Sequence, residues 1–154
     1  MKKNKYNQDF WKDLKSGKFA SMVKETARGK TLEHPDEAYN ILKPLVAKED
    51  DIEQLYCIFL NTKNQILKIE KLFQGSINSS IVHCREIIKK VLKYKAVSII
   101  LGHNHPSGNT EPSKEDILIT EKIKSAMTAI DGDLLDHIVI GNGYNSIIDE
   151  ELSS

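Results

Sequence analysis

The sequence predicts an α/β domain built on a mixed β-sheet flanked by helices. Three observations carry this. Short apolar runs of strand character alternate with segments whose apolar residues recur at helical spacing. The chain has 154 residues, close to the usual size of one domain. One stretch, Ala96 to Leu101, is nearly continuously apolar, as a central strand covered on both faces should be.

Taken in order, residues 1–30 are polar, with a weak amphipathic pattern at Phe10, Trp11, Leu14, Phe19, Met22 and Val23. They read as a basic helical arm ahead of a domain spanning 31–154. At His34-Pro35-Asp36 a helix starts, with Ala38, Ile41, Leu42, Leu45 and Val46 at helical spacing. Pro44 lies inside that pattern and should kink or shorten it. Leu55 to Leu60 is a strand, Asn61-Thr62-Lys63-Asn64 is turn chemistry, and Gln65 to Phe73 is the returning strand. After a loop from Gly75 to Ser80, the segment Val82 to Tyr94 places Ile87, Ile88, Val91 and Leu92 as a helix would. The strand Ala96 to Leu101 ends in a loop from Gly102 to Pro112, rich in Gly, Pro and Asn. A helix is expected from about Ser113 to Ala129, a strand from Leu134 to Ile140, a turn at Gly141-Asn142-Gly143, and a last strand from Tyr144 to Asp149.

Bulk properties exclude several classes. No apolar run approaches the ~20 residues needed to span a bilayer. The basic start, MKKNKYNQDFWKDLK, has no apolar stretch behind it and is not a secretory signal. Two cysteines, Cys57 and Cys84, make no disulfide framework. The expectation is a cytoplasmic protein without membrane attachment. Charge is uneven although 22 basic and 22 acidic residues cancel. Residues 1–30 carry nine Lys/Arg and three Asp/Glu, or +6; 31–100 carry ten and nine, or +1; 101–154 carry three and ten, or −7. The basic arm could touch nucleic acid. Because its Lys residues are scattered and no aromatic or Arg cluster accompanies them, the preferred reading is that it packs on the acidic carboxy-terminal part of its own or another copy, which makes a homodimer possible.

The stretch that carries chemistry is Gly102-His103-Asn104-His105-Pro106-Ser107-Gly108, followed by Pro112-Ser113-Lys114-Glu115-Asp116. It begins where a buried strand ends, the place where open α/β sheets hold ligands. In extended chain, residues i and i+2 point to one side, and Pro106 pushes His105 toward the extended region. The two imidazoles can therefore converge. Asp116, in the first turn of the next helix, can be folded back over them. Two imidazoles and a carboxylate suit zinc and leave a fourth position open, the arrangement of catalytic rather than structural zinc. Ser113-x-x-Asp116 also reads as a helix capping box that needs no metal. The capping motif beside a His-x-His pair at a strand end favours the metal.

The spacing His103-x-His105, seven residues, Ser113, two residues, Asp116 resembles the JAMM signature of the JAB/MPN metalloprotease superfamily. With HNHPSG…EPS…ED and Leu135-Asp136-His137-Ile138 downstream, the chain is similar over about residues 31–150 to the RadC-like, or UPF0758, branch. That resemblance implies a JAB/MPN fold, which is cytidine-deaminase-like, and one zinc per chain. It also implies hydrolysis of an amide, peptide or isopeptide bond in a peptide or protein substrate. It raises Glu53, ahead of the Leu55–Leu60 strand, from one more solvated acid to the general base. It gives Ser113 the task of steadying a developing oxyanion. His83 and Arg85 fall in a segment that usually reads His-Pro-Arg-Glu in the family; Cys84 replaces the proline, and the two are candidates for substrate binding or simply for starting a helix. His137 is expected to be a satisfied, half-buried histidine, and Cys57 a core residue. The RadC name also attaches the branch to DNA repair, so a DNA-associated role is the alternative. The helix-hairpin-helix region of longer members does not fit into the residues ahead of position 31. Deaminase chemistry is set aside because it needs Pro-Cys-x-x-Cys, and Cys57 and Cys84 are far apart.

Overall fold

The computed structural model describes residues 18–76 and 82–148. The elements run α1 (Lys18–Ala27), α2 (Pro35–Val46), a 3₁₀ turn (Ala47–Glu49), β1 (Gln54–Leu60), β2 (Ile66–Gln74), α3 (Cys84–Lys93), β3 (Ser98–Asn104), α4 (Lys114–Ala129), β4 (Asp133–Gly141) and β5 (Gly143–Ser146). The five strands form one mixed sheet in the order β2-β1-β3-β4-β5. β1 pairs antiparallel with β2 and β3, β3 lies parallel to β4, and β5 returns antiparallel along β4.

The strand period of two splits the sheet into two cores. Tyr56, Ile58, Leu60, Ile100 and Ile138 face α1 and α2, where they meet Ala27, Ala38, Leu42, Leu45 and Val46. Leu55, Cys57, Phe59, Ile99 and Leu101 face α3 and α4, where they meet Ile87, Val91, Ile119, Ile123 and Met127. Every residue of β1 and β3 is buried. Both strands are therefore covered on both sides, which is why they read as apolar runs rather than alternating ones. Burial of each such Leu or Ile side chain contributes roughly 1.5–3 kcal/mol.

Several local expectations change. The helix at His34-Pro35 runs through Pro44 to Val46. Pro44 lies in its last turn, where the lost N–H removes one bond, and the buried Leu45 and Val46 hold the end on the sheet. β3 does not end at Leu101 but continues through Gly102 and His103 to Asn104, because its pairing to β1 and β4 outlasts its apolar run. β5 stops at Ser146; position 149 lies outside the described residues. The hairpin turn follows its residue chemistry: Asn61 Oδ1 accepts from the amides of Lys63 and Gln65, and Asn64 takes φ 57°.

Of the amino-terminal arm, Phe10, Trp11 and Leu14 lie outside the described residues. The described part, α1, packs on α2 and β2 rather than on the acidic carboxy-terminal part. Ala27 is buried in the core, and the Lys24 amino group sits 5.9 Å from the centre of the Tyr56 ring. Apolar contact, not charge pairing, decides where this helix goes. Among the described residues, no helix is long and apolar enough to cross a membrane.

Candidate metal centre

His103 reaches the site from β3. It lies on the same face of the strand as Ile99 and Leu101 and so looks toward α4. His105 follows two residues later, and its amide still donates to the Ile140 carbonyl at 2.8 Å, which extends the sheet pairing past the strand end. Asn104, between them, points to the opposite face. There its Oδ1 accepts from the Gln54 amide at 2.7 Å and its Nδ2 donates to the Ile52 carbonyl at 2.9 Å. One asparagine thus ties the start of β1 to the histidine strand.

The loop after His105 is clamped by close backbone approach. Gly108 has φ +84°, its amide donates to the His105 carbonyl, and its carbonyl accepts from Asn142. A Cβ on Gly141 would stand 2.4 Å from the Gly108 oxygen, so only glycine lets the two segments meet. The loop then delivers α4, whose first turn is fixed by Ser113. The Ser113 hydroxyl oxygen accepts from the Asp116 amide at 3.1 Å, and Asp116 Oδ2 accepts from the Ser113 amide at 2.8 Å.

The outcome is a compact donor set. Asp116 Oδ1 is 3.1 Å from His103 Nε2, Asp116 Oδ2 is 3.0 Å from His105 Nε2, and the two Nε2 atoms are 3.0 Å apart. One donor atom from each residue lies within 4.8 Å of the others. Zinc bonds of about 2.0–2.1 Å imply donor separations of about 3.3 Å in a tetrahedron. The observed edges are within a few tenths of an ångström of that. Asp116 therefore forms the cap and belongs to the cluster at once, so the capping box observed at Ser113-x-x-Asp116 leaves its carboxylate in place for a metal. His103, His105 and Asp116 are positioned to bind a metal ion.

Each imidazole presents Nε2 because Nδ1 is otherwise engaged. His105 Nδ1 lies 2.8 Å from the Asn109 carbonyl, an acceptor only, so it carries the proton there. His103 Nδ1 lies 2.8 Å from Nε2 of His137. His137 is fully buried rather than half-buried, at 1% exposure, and its Nδ1 is 2.6 Å from the Thr120 hydroxyl. Burial and the neighbouring His103 keep its pKa well below the ordinary histidine value, so it is neutral.

Electrostatics suit a cation. Burial opposes the charged form of Asp116, but the two imidazoles packed against its carboxylate outweigh it and hold the carboxyl well below the usual carboxylate range. When protonated at Nε2, His105 donates to the Asp116 carboxylate; against the opposing effect of burial this raises its pKa, and the charge of Glu53 raises it further. A protonated imidazole cannot ligate, so metal and proton compete for His105. Because the pKa is raised, the competition begins at higher pH than for an ordinary histidine. Zinc affinity measured from about pH 8 down to about pH 6 is expected to fall progressively; constant affinity across that range would remove the proton from this account.

Glu53 stands one residue ahead of β1 and is partly buried. Its carbonyl accepts from Gly75, which anchors the backbone to the end of β2. Leu55 pairs with His103 at the end of the β1–β3 ladder, so Glu53 lies two residues beyond that pair, near enough to His105 for its charge to act on the imidazole. Ser113 is exposed at the helix start. Its cap uses an oxygen lone pair and leaves the hydroxyl proton free to donate, so capping does not compete with a second role. His83 and Arg85 are exposed at the start of α3, where they line a groove with Glu86 and Lys122. Among the described residues, no hydrogen bond or ion pair joins them to the cluster. Cys57 is buried in the core.

The family model for the RadC-like JAB domain matches residues 32–152. Among similar proteins, a UPF0758 protein of Pseudomonas savastanoi pv. phaseolicola is 40% identical over 122 residues, covering 79% of this chain and 54% of its own length. A UPF0758 protein of Clostridium tetani is 42% identical over 149 residues, covering 91% and 65%. One from the archaeon Methanosarcina mazei is 45% identical over 117 residues, covering 75% and 51%. The chain thus spans between about half and two-thirds of the length of these relatives. The matched span takes in the three donor residues, Glu53, the whole of the second core and all the buried residues of the first except Ala27. This chain belongs to the RadC-like JAB domain family.

Proposed function

We propose that the domain is a zinc-dependent hydrolase that cleaves an amide, peptide or isopeptide bond in a peptide or protein. The observation that supports this best is the convergence of His103 Nε2, His105 Nε2 and the Asp116 carboxylate at 3.0–3.1 Å, with Glu53 one residue ahead of the adjacent strand. Two nitrogens and one carboxylate favour zinc over the oxygen-seeking cations. A zinc ion held there would acidify a water molecule and polarise the carbonyl it attacks.

The chain's own residues supply the rest. Glu53 takes the proton of the attacking water and passes it to the leaving amine. The Ser113 hydroxyl donates to the oxygen that gains charge. Asp116 is fixed by its cap, and His105 by the Asn109 carbonyl, so neither must reorganise when the metal enters.

The test has two parts. Elemental analysis of purified protein is expected to find about one zinc per chain. A pool of internally quenched peptides, together with peptides joined through a lysine ε-amide, is expected to be cleaved, with cleavage lost to a chelator and restored by zinc. Absence of metal-dependent cleavage across the pool would overturn the reading. The nucleic-acid alternative would replace it if the protein instead bound duplex DNA with an affinity falling steeply between about 50 and 200 mM salt.

A further inference from the structure

We infer that Thr120 and His137 are positioning residues that set the proton on His103, so that its Nε2 is presented bare to the metal. The inference rests on the metal reading above and adds residues that lie outside the donor set. It follows from a chain of four groups whose direction is fixed at one end. The Thr120 hydroxyl is 2.7 Å from the Asp116 main-chain oxygen, which can only accept. Thr120 therefore spends its one proton there. Its oxygen, 2.6 Å from His137 Nδ1, must then accept, and the proton between them belongs to Nδ1. His137 Nε2 is consequently the bare nitrogen of that ring. It faces His103 Nδ1 at 2.8 Å, so His103 Nδ1 donates and His103 Nε2 carries the lone pair. That lone pair points at Asp116 and His105.

The opposite direction would leave two oxygens, the Thr120 hydroxyl and the Asp116 carbonyl, 2.7 Å apart without a proton in a buried site. It would also put a proton on His103 Nε2, where the metal must bind. Each histidine ligand is thus oriented by a main-chain carbonyl: His105 directly by Asn109, and His103 through His137 and Thr120 by Asp116. Asp116 acts at both ends, with its carboxylate in the donor set and its carbonyl as the terminus of the relay.

The placement depends on the sheet. Between Ile99 and Ile100 the β3–β4 register steps by one, so Ile99 pairs with Leu134 but Ile100 with Asp136. Leu135 is the additional residue. Paired residues share a face, so the step moves His137 opposite Leu101, on the α4 side. In an unbroken register His137 would lie opposite Gly102 and face α2. Thr120 is one turn after Asp116, which brings its hydroxyl to the same side of α4. Both polar groups are buried, Thr120 at 0% and His137 at 1% exposure, amid apolar core where each must find a partner.

The test uses zinc affinity of the full chain, measured by competition with a chromophoric chelator, and needs no substrate. Thr120→Val is expected to weaken zinc by about 10–100-fold, the usual effect of removing a ligand's hydrogen-bonding partner. Thr120→Ser, which keeps the hydroxyl, should restore affinity to near the wild-type level. In a His137→Leu background the Thr120→Val change should have no further effect, because the relay is already cut. A direct readout needs no variant: long-range ¹H–¹⁵N spectra of the zinc-loaded protein should show His137 protonated at Nδ1 and bare at Nε2. Unchanged zinc affinity in Thr120→Val, or the Nε2-protonated form of His137, would overturn the inference while leaving the metal site intact. Failure of the wild-type chain to bind zinc would instead overturn the reading on which it rests.

Discussion

Replacing His103 and His105 together with alanine is expected to take bound zinc from about one per chain to none. Asp116 would then be the sole member of the donor set, and a lone carboxylate does not hold zinc against water and buffer. The loss should be visible twice. Elemental analysis reports it directly, and thermal unfolding reports it through linkage. A ligand at about a thousand times its dissociation constant stabilises the native state by about 4 kcal/mol, so zinc should raise the melting temperature of the wild-type chain and leave that of the variant unmoved. The fold should survive. His105 lies at the rim of the site, and the two cores are built from apolar side chains among which neither histidine is counted. Some destabilisation is expected even without metal, because His103 is buried and its removal leaves His137 Nε2 without its partner. Full retention of zinc by the double variant would move the metal elsewhere and remove the basis of the proposed chemistry.

The donor residues were legible because their signal is local. A His-x-His pair at the end of an apolar strand and an acid three residues into the next helix announce themselves in the sequence, and the geometry only had to bring them together. What surrounds them was less legible, for physical reasons. The apolar run stops at Leu101, but β3 continues through Gly102, His103 and Asn104, because main-chain pairing depends on neighbouring strands and not on apolar character. Asn104 looked like loop chemistry between two ligands, although it anchors the start of β1 from the opposite face. His137 was expected to be half-buried, since a period-two reading of β4 has no means of finding the step at Leu135. Thr120 gave no signal as a single residue; its spacing of four from Asp116 was the available clue. Pro44 misled in the other direction, because its cost depends on how much helix follows it, and only two residues do. The α/β class, the mixed sheet and the two-sided cover of its central strand followed from alternation and apolar runs, which are properties of whole segments and so survive local errors; the strand order, which depends on long-range pairing, did not.

Glu53→Gln separates holding the metal from using it. Glutamine has the size and most of the hydrogen-bonding capacity of glutamate, but it cannot take a proton at neutral pH. The backbone at this position is held by the bond from the Gly75 amide to the Glu53 carbonyl, which the substitution does not touch. Nor does Glu53 belong to the His103, His105 and Asp116 donor set. Zinc content should therefore stay at about one per chain. Hydrolysis should fall by about 10²–10⁴-fold, the usual contribution of a general base. The loss should fall on kcat, with little change in KM, since the group acts on a proton that moves only in the transition state. Glu53→Asp is the informative companion. It keeps the acid but withdraws it by one methylene, so a base that must reach a specific water should lose activity there too, though less than in the amide variant. The two remaining outcomes each change the mechanism in a defined way. An unchanged rate in Glu53→Gln would leave proton transfer to another group, and the position of Glu53 near His105 would be a matter of chain path alone. Loss of zinc together with activity would make Glu53 a fourth ligand, closing the coordination position that water needs and turning a catalytic site into a structural one.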